Sequence, residues 1–417
     1  MTRRDSGRYW AYGLLGMPLA MVALPVYVQV PTYYASTLGV PLAWVGWVLF
    51  GARLIDTFQD LWLGEWIDSL KQRAWLRKAL PVAAVVLAVF FWGLWQPATD
   101  TPLGLAVWLG VMLAVVYTAH SFLNIAYLAW GARLSSAPDQ LTRAAASREG
   151  AGLGGVVLGS AGPPTLIALG WSSGSVMTGY SALMTLLLAV GLFLLLNRAP
   201  VWTSSAVTLR LTWRQTLTRP AFRRLLLPFF LNAFAVAIPA TLALFFIQDR
   251  LRDEAWSGIY LGAYFLAGAI GLPLWTRLAS RVGALTAWRI GMAAAVVAFV
   301  WATQLQAGDR YAYLLICLMA GLALGADLAM PPVLLACQLP EQEDPASYYG
   351  VWSLLGKLAL AMSGLCLPLL AQLGYQPGAS DGNTTALAWL YGGLPCVLKL
   401  AAWVSLGRVS DPTLRSI

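Results

Sequence analysis

Apolar residues run through this chain in blocks of about 20, separated by short polar segments, and a block of that length matches a helix crossing the hydrocarbon core of a bilayer. The blocks predict twelve spans, near 10–35, 41–66, 79–97, 103–131, 149–171, 175–197, 224–247, 256–278, 287–306, 311–337, 348–373 and 385–407. The longest polar break lies between Arg198 and Arg224 and is rich in Arg, Thr and Ser. It divides the chain into a six-helix bundle over 1–197, a cytoplasmic linker over 198–223 and a second six-helix bundle over 224–417. An even number of spans leaves both ends on the same side.

The second block departs from the pattern. Within it Arg53, Asp56, Asp60, Gly64 and Asp68 follow at spacings of three, four, four and four, along one side of a helix. A charged residue at the bilayer centre costs roughly 2.5–3.5 kcal/mol on the insertion scale, so this face should meet protein or a watery cavity and serve an ion or substrate path. An Arg–Asp pair that only pins neighbouring helices is the competing reading. It leaves one of the two carboxylates unaccounted for.

Composition agrees with a polytopic, all-α membrane protein: 59% of the 417 residues are hydrophobic and 11% are charged. The formal net charge is +9. With both termini cytoplasmic, 21 of the 27 Lys and Arg fall in inward segments, three (Arg250, Arg252 and Arg310) face outward, and three (Arg53, Lys357 and Lys399) lie inside spans. This follows the positive-inside rule and indicates a bacterial-type inner membrane; the basic charge is explained by topology and lipid head groups and gives no reason to expect nucleic acid. The basic N-terminus runs into a first span with no small-residue cleavage pattern and is expected to be retained. Cys317, Cys337, Cys366 and Cys396 all lie in predicted spans without metal-site spacing, and are expected to be packing residues rather than disulfides.

Glycine and proline are scattered through the spans, as in Pro18, Pro25, Gly155, Gly159, Pro163-Pro164 and Pro331-Pro332. Such helices bend or pack closely, as helices that move against one another do. The turn Gly64-x-x-x-Asp68 with Arg73, Arg77 and Lys78 has a counterpart in Gly271 followed by Arg277 and Arg281, which predicts an internal repeat of six helices.

Few other ionisable residues lie inside the spans: His120, Asp327, Lys357 and Lys399, with Glu65 nearer the cytoplasmic edge. Lys357 is either functional or snorkels; Lys399, closer to its helix end, is expected to snorkel. His120 is either a proton carrier or, as a lone histidine on an apolar helix, the maker of one packing hydrogen bond. Two aspartates a turn apart repel when both are ionised, and a cation between them relieves this, so Asp56 and Asp60 predict a site for Na+ or a proton. Oxygen ligands suit such an ion, and Ser121 and Asn124, three apart in the fourth span, can complete the set. There is no nucleophile elbow, Walker sequence, His-x-x-x-His pair or carboxylate–histidine cluster. The chain is therefore expected not to be an enzyme, to need no cofactor and no metal beyond Na+, and to run on an ion gradient or downhill.

The stretch Arg53-Leu-Ile-Asp-Thr-Phe-Gln-Asp-Leu-Trp-Leu-Gly64 resembles the second-helix signature R-x-x-D-A-x-x-D-P-x-x-G of the glycoside–pentoside–hexuronide:cation symporters, the melibiose-permease branch of the major facilitator superfamily. Tyr12-Gly13, Tyr33-Tyr34 and Leu38-Gly39 are similar to that family's first helix. Asn124-Ile-Ala-Tyr-Leu-Ala with Asp139, Arg143 and Arg148 is similar to the block after its fourth, and Tyr349-Gly350 with Lys357 and Gly374-Tyr375 to its eleventh. The resemblance implies the major facilitator fold, two bundles closing alternately about a central cavity, and cation-coupled symport of a small organic solute. It implies that Asp56, Asp60, Gln59 and Ser121 bind the cation, that Arg53 and Lys357 are their charge partners, and that Tyr27, Asn124 and Arg148 line the substrate cavity. Gly64, Asp68, Arg73 and Arg77 would form the cytoplasmic gate, in a protein that works as a monomer.

The departures from the pattern bear on cargo. Sugar-transporting relatives carry an acid in the first helix where this chain has Ala20; Leu61 in place of the family's proline, with Gln59, bears instead on the ion, which stays open between Na+ and a proton. A buried sugar needs many polar partners, so the cavity is expected to be too apolar for a melibiose-like ligand. A eukaryotic branch of the family carries lysophospholipids, which makes a lipid-like or amphipathic substrate an alternative. A non-transporting membrane sensor or partner protein is the alternative from another class.

Overall fold

The computed structural model describes residues 10–72, 75–131, 138–199, 213–338, 345–379 and 383–409. Every regular element among them is helical. In the first half these are α1 (Gly16–Thr32), α2 (Leu42–Gln72), α3 (Leu76–Gly93), α4 (Pro102–Gly131), α5 (Pro138–Ala168) and α6 (Ser173–Asn197). The second half holds α7 (Trp213–Leu217), α8 (Pro220–Phe245), α9 (Ser257–Val282), α10 (Ala284–Phe299), α11 (Arg310–Ala336), α12 (Pro345–Ser363), α13 (Cys366–Gln372), α14 (Thr384–Ala388) and α15 (Leu394–Ser405).

Eleven helical segments among the described residues are long and apolar enough to cross a membrane. The expected second span forms a single helix, α2, of 31 residues but is not among the eleven, because Arg53, Asp56, Gln59 and Asp60 dilute its apolar character. The outer faces of the other helices carry large apolar side chains; on α3, Val82, Val85, Val89 and Trp92 recur at helical spacing and are all at least half exposed. A stripe of this kind is stable against lipid tails and unfavourable in water.

The chain forms two compact units, Met1–Ala206 and Val207–Ile417. Within the first, α1 packs on α5 and α6, α4 on α2 and α3, and α3 on α6. Within the second, α8 packs on α12 and α15, α11 on α9 and α10, and α10 on α15. Counted as spans, the two patterns are the same: first with fifth and sixth, second with fourth, third with fourth and sixth. The repeat expected from the glycine–arginine turns is therefore written in the helix pairings of each unit.

Small residues permit the tightest of these pairings. A Cβ on Gly155 of α5 would meet the Met17 carbonyl oxygen of α1 at 2.2 Å, and one on Gly321 of α11 would meet the Tyr264 carbonyl oxygen of α9 at 2.3 Å. Backbones in such contact gain dispersion where lipid offers no hydrophobic drive. The expected linker includes the short α7, and α8 begins at Pro220, a proline suited to a helix start. The eleventh span is interrupted between Ser363 and Cys366. The four cysteines are free; three are buried, and Cys337, at the end of α11, is exposed and so does not pack as expected.

Candidate functional site

Two charges of the α2 face are buried, as a membrane helix with these residues requires. Arg53 is 2% exposed and Asp56 9%. Positions 56, 59 and 60 share one face, being one turn apart, and α4, packed on α2, brings Thr118 and Ser121 to that face. The Ser121 hydroxyl donates to Asp56 Oδ1 at 2.7 Å, and the Gln59 amide Nε2 donates to the same oxygen at 3.0 Å. The Gln59 Oε1 lies 2.7 Å from the Thr118 hydroxyl, whose single hydrogen is shared between it and the Ala114 carbonyl, also at 2.7 Å. Both donors meet the same carboxylate oxygen, and a hydrogen bond to a charged group is worth about 1.5–3 kcal/mol.

Arg53 lies with its guanidinium carbon 5.2 Å from the centre of the Tyr27 ring, so the cation leans on an aromatic face of α1. Thr57 bonds back to the Arg53 carbonyl at 2.7 Å. Asp60, one turn beyond Asp56, is half-buried. The structure thus brings together Asp56, Gln59 and Ser121 of the expected cation set, and seats Arg53 on Tyr27. Thr118 was missed from sequence, although a hydroxyl one turn before Ser121 on the same helix was the available signal.

The other expected residues are placed as follows. Asn124 is half-buried on α4, one turn beyond Ser121. Arg148 of α5 pairs with its neighbour Glu149 at 2.5 Å and lies beside Gly16 of α1. His120 contacts the Leu19 carbonyl through Nε2 at 3.1 Å, a hydrogen bond to α1. Arg77 donates from Nη2 to the Leu196 carbonyl at 2.5 Å, satisfying an end carbonyl of α6. Arg73 lies outside the described residues, as does the side chain of Asp68, and Gly64 is placed only as part of α2. Lys357 is half-buried on α12 of the second unit.

One expectation fails in the second unit. Lys399 does not snorkel: its side chain is 10% exposed and pairs at 2.5 Å with Asp327, whose side chain is 5% exposed. Its Nζ also donates to Asn232 Oδ1 at 2.8 Å, and Trp288 Nε1 donates to Asp327 Oδ1 at 3.0 Å. The carboxylate on α11 holds the ammonium inward, because snorkelling would leave Asp327 buried without its cation. No group of three or more His, Cys, Asp or Glu suited to a metal occurs among the described residues.

Comparison with known proteins adds the following. The family model for MFS/sugar transport proteins matches residues 9–410. The chain is 21% identical over 374 residues to a Bacillus subtilis (strain 168) protein described as an uncharacterized symporter, YjmB, covering 83% of this chain and 79% of that one. Among solved structures it is similar to a bacterial homologue of the human lysosomal transporter Spinster, with TM-score 0.71, 14% identity and coverage of 100% and 99% of the two chains. It is also similar to the nucleoside transporter NupG (TM-score 0.68, 16% identity, 98% and 100% covered) and to a bacterial homologue of the iron transporter ferroportin (TM-score 0.65, 16% identity, 98% and 99% covered). At these identities the structural likenesses establish the fold.

Proposed function

The chain belongs to the MFS/sugar transport protein family of multi-pass membrane transporters, and from that premise we propose that it is a secondary transporter coupling the movement of a small organic solute to Na+ or a proton held at Asp56. The observation that carries this is the Asp56 carboxylate, 9% exposed inside a membrane protein and served by Ser121 and Gln59. A buried carboxylate so arranged is costly for a scaffold and useful to an ion carrier.

In this reading the cation takes the remaining lone pairs of Asp56, with Asp60 one turn away as second carboxylate and the Ser121 oxygen as neutral ligand. Turning the Gln59 amide would add its oxygen. Arg53, stacked on Tyr27, offsets the second negative charge when the cation leaves, and Lys357 links ion and solute occupancy. Asn124 and Arg148 serve the solute path, and the gate is formed by Gly64, Asp68, Arg73 and Arg77. The membrane is a bacterial-type inner membrane with both termini cytoplasmic. Ala20 in the first span favours an amphipathic cargo over a polyhydroxylated one, because it offers a hydroxyl nothing to bond.

The test is thermal unfolding of the purified protein against added sodium, with potassium as control, in mildly alkaline and mildly acidic media. Sodium or acid should raise the unfolding midpoint of the wild type, by an amount that grows with the logarithm of concentration once it exceeds the dissociation constant. Asp56→Asn should abolish the effect and Asp60→Asn should weaken it. An unaltered response in Asp56→Asn would move the ion elsewhere.

A further inference from the structure

The ion pair Asp327–Lys399 is not used by the reading above. It joins α11 to α15, 72 residues apart in sequence, and both groups line an open-mouthed cavity whose lining residues all belong to the second unit. The cavity measures about 40 Å³, where a single water needs roughly 10–15 Å³ on the same measure. Its walls are apolar, formed by Pro239, Tyr264, Phe299, Ala320 and Leu324, so Asp327 and Lys399 are its only charges among the lining residues.

The hydrogen bonds apportion the two charges. An ammonium has three donors, and Lys399 spends two, on Asp327 and on Asn232, which leaves a third beside the cavity. Asp327 is held from the other side by Trp288. The pair as it stands is neutral and offers an anion no net charge. Protonating Asp327 would remove its charge and leave Lys399 cationic, still anchored by Asn232 Oδ1. A buried net charge is strongly unfavourable. An anion entering the cavity restores neutrality.

We propose that Asp327 and Lys399 form a proton-linked anion site, at which one proton taken up by the Asp327 carboxylate releases Lys399 to bind one small organic monoanion with an apolar tail. The balance is simple: a proton passes from water to an Asp327 oxygen, the Lys399–Asp327 ion pair is exchanged for a Lys399–anion pair, and the site is neutral before and after. Two negative charges on a ligand would leave it unbalanced, which selects monoanions, and the apolar walls select an alkyl or aryl tail over a hydroxylated one. The other titratable groups facing this region are Tyr264 of α9 and Cys396 of α15, both lining the cavity, while Arg289 of α10 is turned onto the Trp403 ring, 4.1 Å from its centre. From α8 the pair meets the neutral Asn232. That the anion is cargo rests on the transport reading; that it binds here does not.

The test uses purified full-length protein, with butanesulfonate as a permanently charged probe and butyrate beside it. Thermal protection by butanesulfonate should be several-fold stronger in mildly acidic than in mildly alkaline medium, and propane-disulfonate should protect less. Asp327→Asn, which imitates the protonated acid, should protect equally well in both media. Lys399→Gln should not respond, and neither should the charge-free double variant Asp327→Asn/Lys399→Gln, which remains informative if the single lysine variant does not fold. Wild-type-like pH dependence in Asp327→Asn, protection in the double variant, or no protection of the wild type overturns the proposal, leaving the pair as a helix pin. Asp56→Asn, run alongside, should keep its anion response. Loss of the sodium or acid effect there with the anion response intact, or the reverse, separates the two sites.

Discussion

At the scale of single residues, the Asp56 oxygen that accepts from both Ser121 and Gln59 is the sharpest feature of the first unit. Ser121→Ala removes a donor and an oxygen ligand together. Loss of the oxygen ligand, taken at about 1.4 kcal/mol, should raise the midpoint of a sodium binding titration about tenfold. Asn124→Ala, outside the described bonds to Asp56, should change that midpoint little, so a comparison of the two titrations checks the assignment. The 3–4–4 spacing on α2 made Asp56 legible in the sequence, because periodicity within one helix is local information. The partnership of Lys399 with Asp327 was not legible. Each residue was visible as an oddity, but spacing cannot pair groups on different helices, and the usual snorkelling of a lysine near a helix end pointed the wrong way.

Individual elements carry a repeat that the sequence hid. The first span ends in a widened helical turn, Tyr33–Thr37, after which Leu38 N–H bonds the Tyr33 carbonyl and Val40 N–H the Tyr34 carbonyl. The seventh span ends in the same way at Phe246–Arg250, with Leu251 N–H on Phe246 and Asp253 N–H on Ile247. Between each pair of bonds sits a residue in the left-handed region: Gly39 at φ 71° in the first copy, Arg252 at φ 53° in the second. Few residues are shared by the two turns, so the backbone reveals what side chains concealed. A side chain in that region is disfavoured by about 1–2 kcal/mol. Arg252→Gly should therefore raise stability by roughly 0.5–1 kcal/mol after allowing for the freer unfolded chain, read as a higher unfolding midpoint.

The same turn holds an acid-sensitive clasp. Asp253 accepts from Arg310 Nε and Nη2, both at 2.7 Å, and from the Tyr260 hydroxyl at 2.6 Å. The Arg310 guanidinium holds the carboxyl below its usual range, against the opposing effect of burial. A folded-state value below the unfolded one means stability that is present above the ordinary carboxylate range and is lost as pH falls through the lowered value. Asp253→Asn should lower the unfolding midpoint at neutral pH, and the gap from wild type should close on acidification. A gap that stays constant with pH would show that the clasp acts by shape alone.

For the whole molecule, the count and length of spans were readable because lipid imposes a length on every helix, whereas how the helices pair was not. The pairing of α1 with α5 and of α11 with α9 depends on close approach at Gly155 and Gly321, which sequence shows only as scattered glycines. Each unit repeats one pattern of helix contacts, yet the buried charges differ: Asp56 and Arg53 on one helix in the first, an acid–lysine pair joining two helices in the second. On the two proposals made above, that difference gives the units separate tasks, a cation in one and an anion in the other.

The most direct test of the central claim is equilibrium binding of radioactive sodium to the purified wild type and to Asp56→Asn, with proton uptake followed in the same samples. The wild type should bind one cation per chain at this site, sodium or a competing proton, and Asp56→Asn should lose that binding while remaining folded. Equal sodium binding and equal proton uptake in the two proteins would contradict the account.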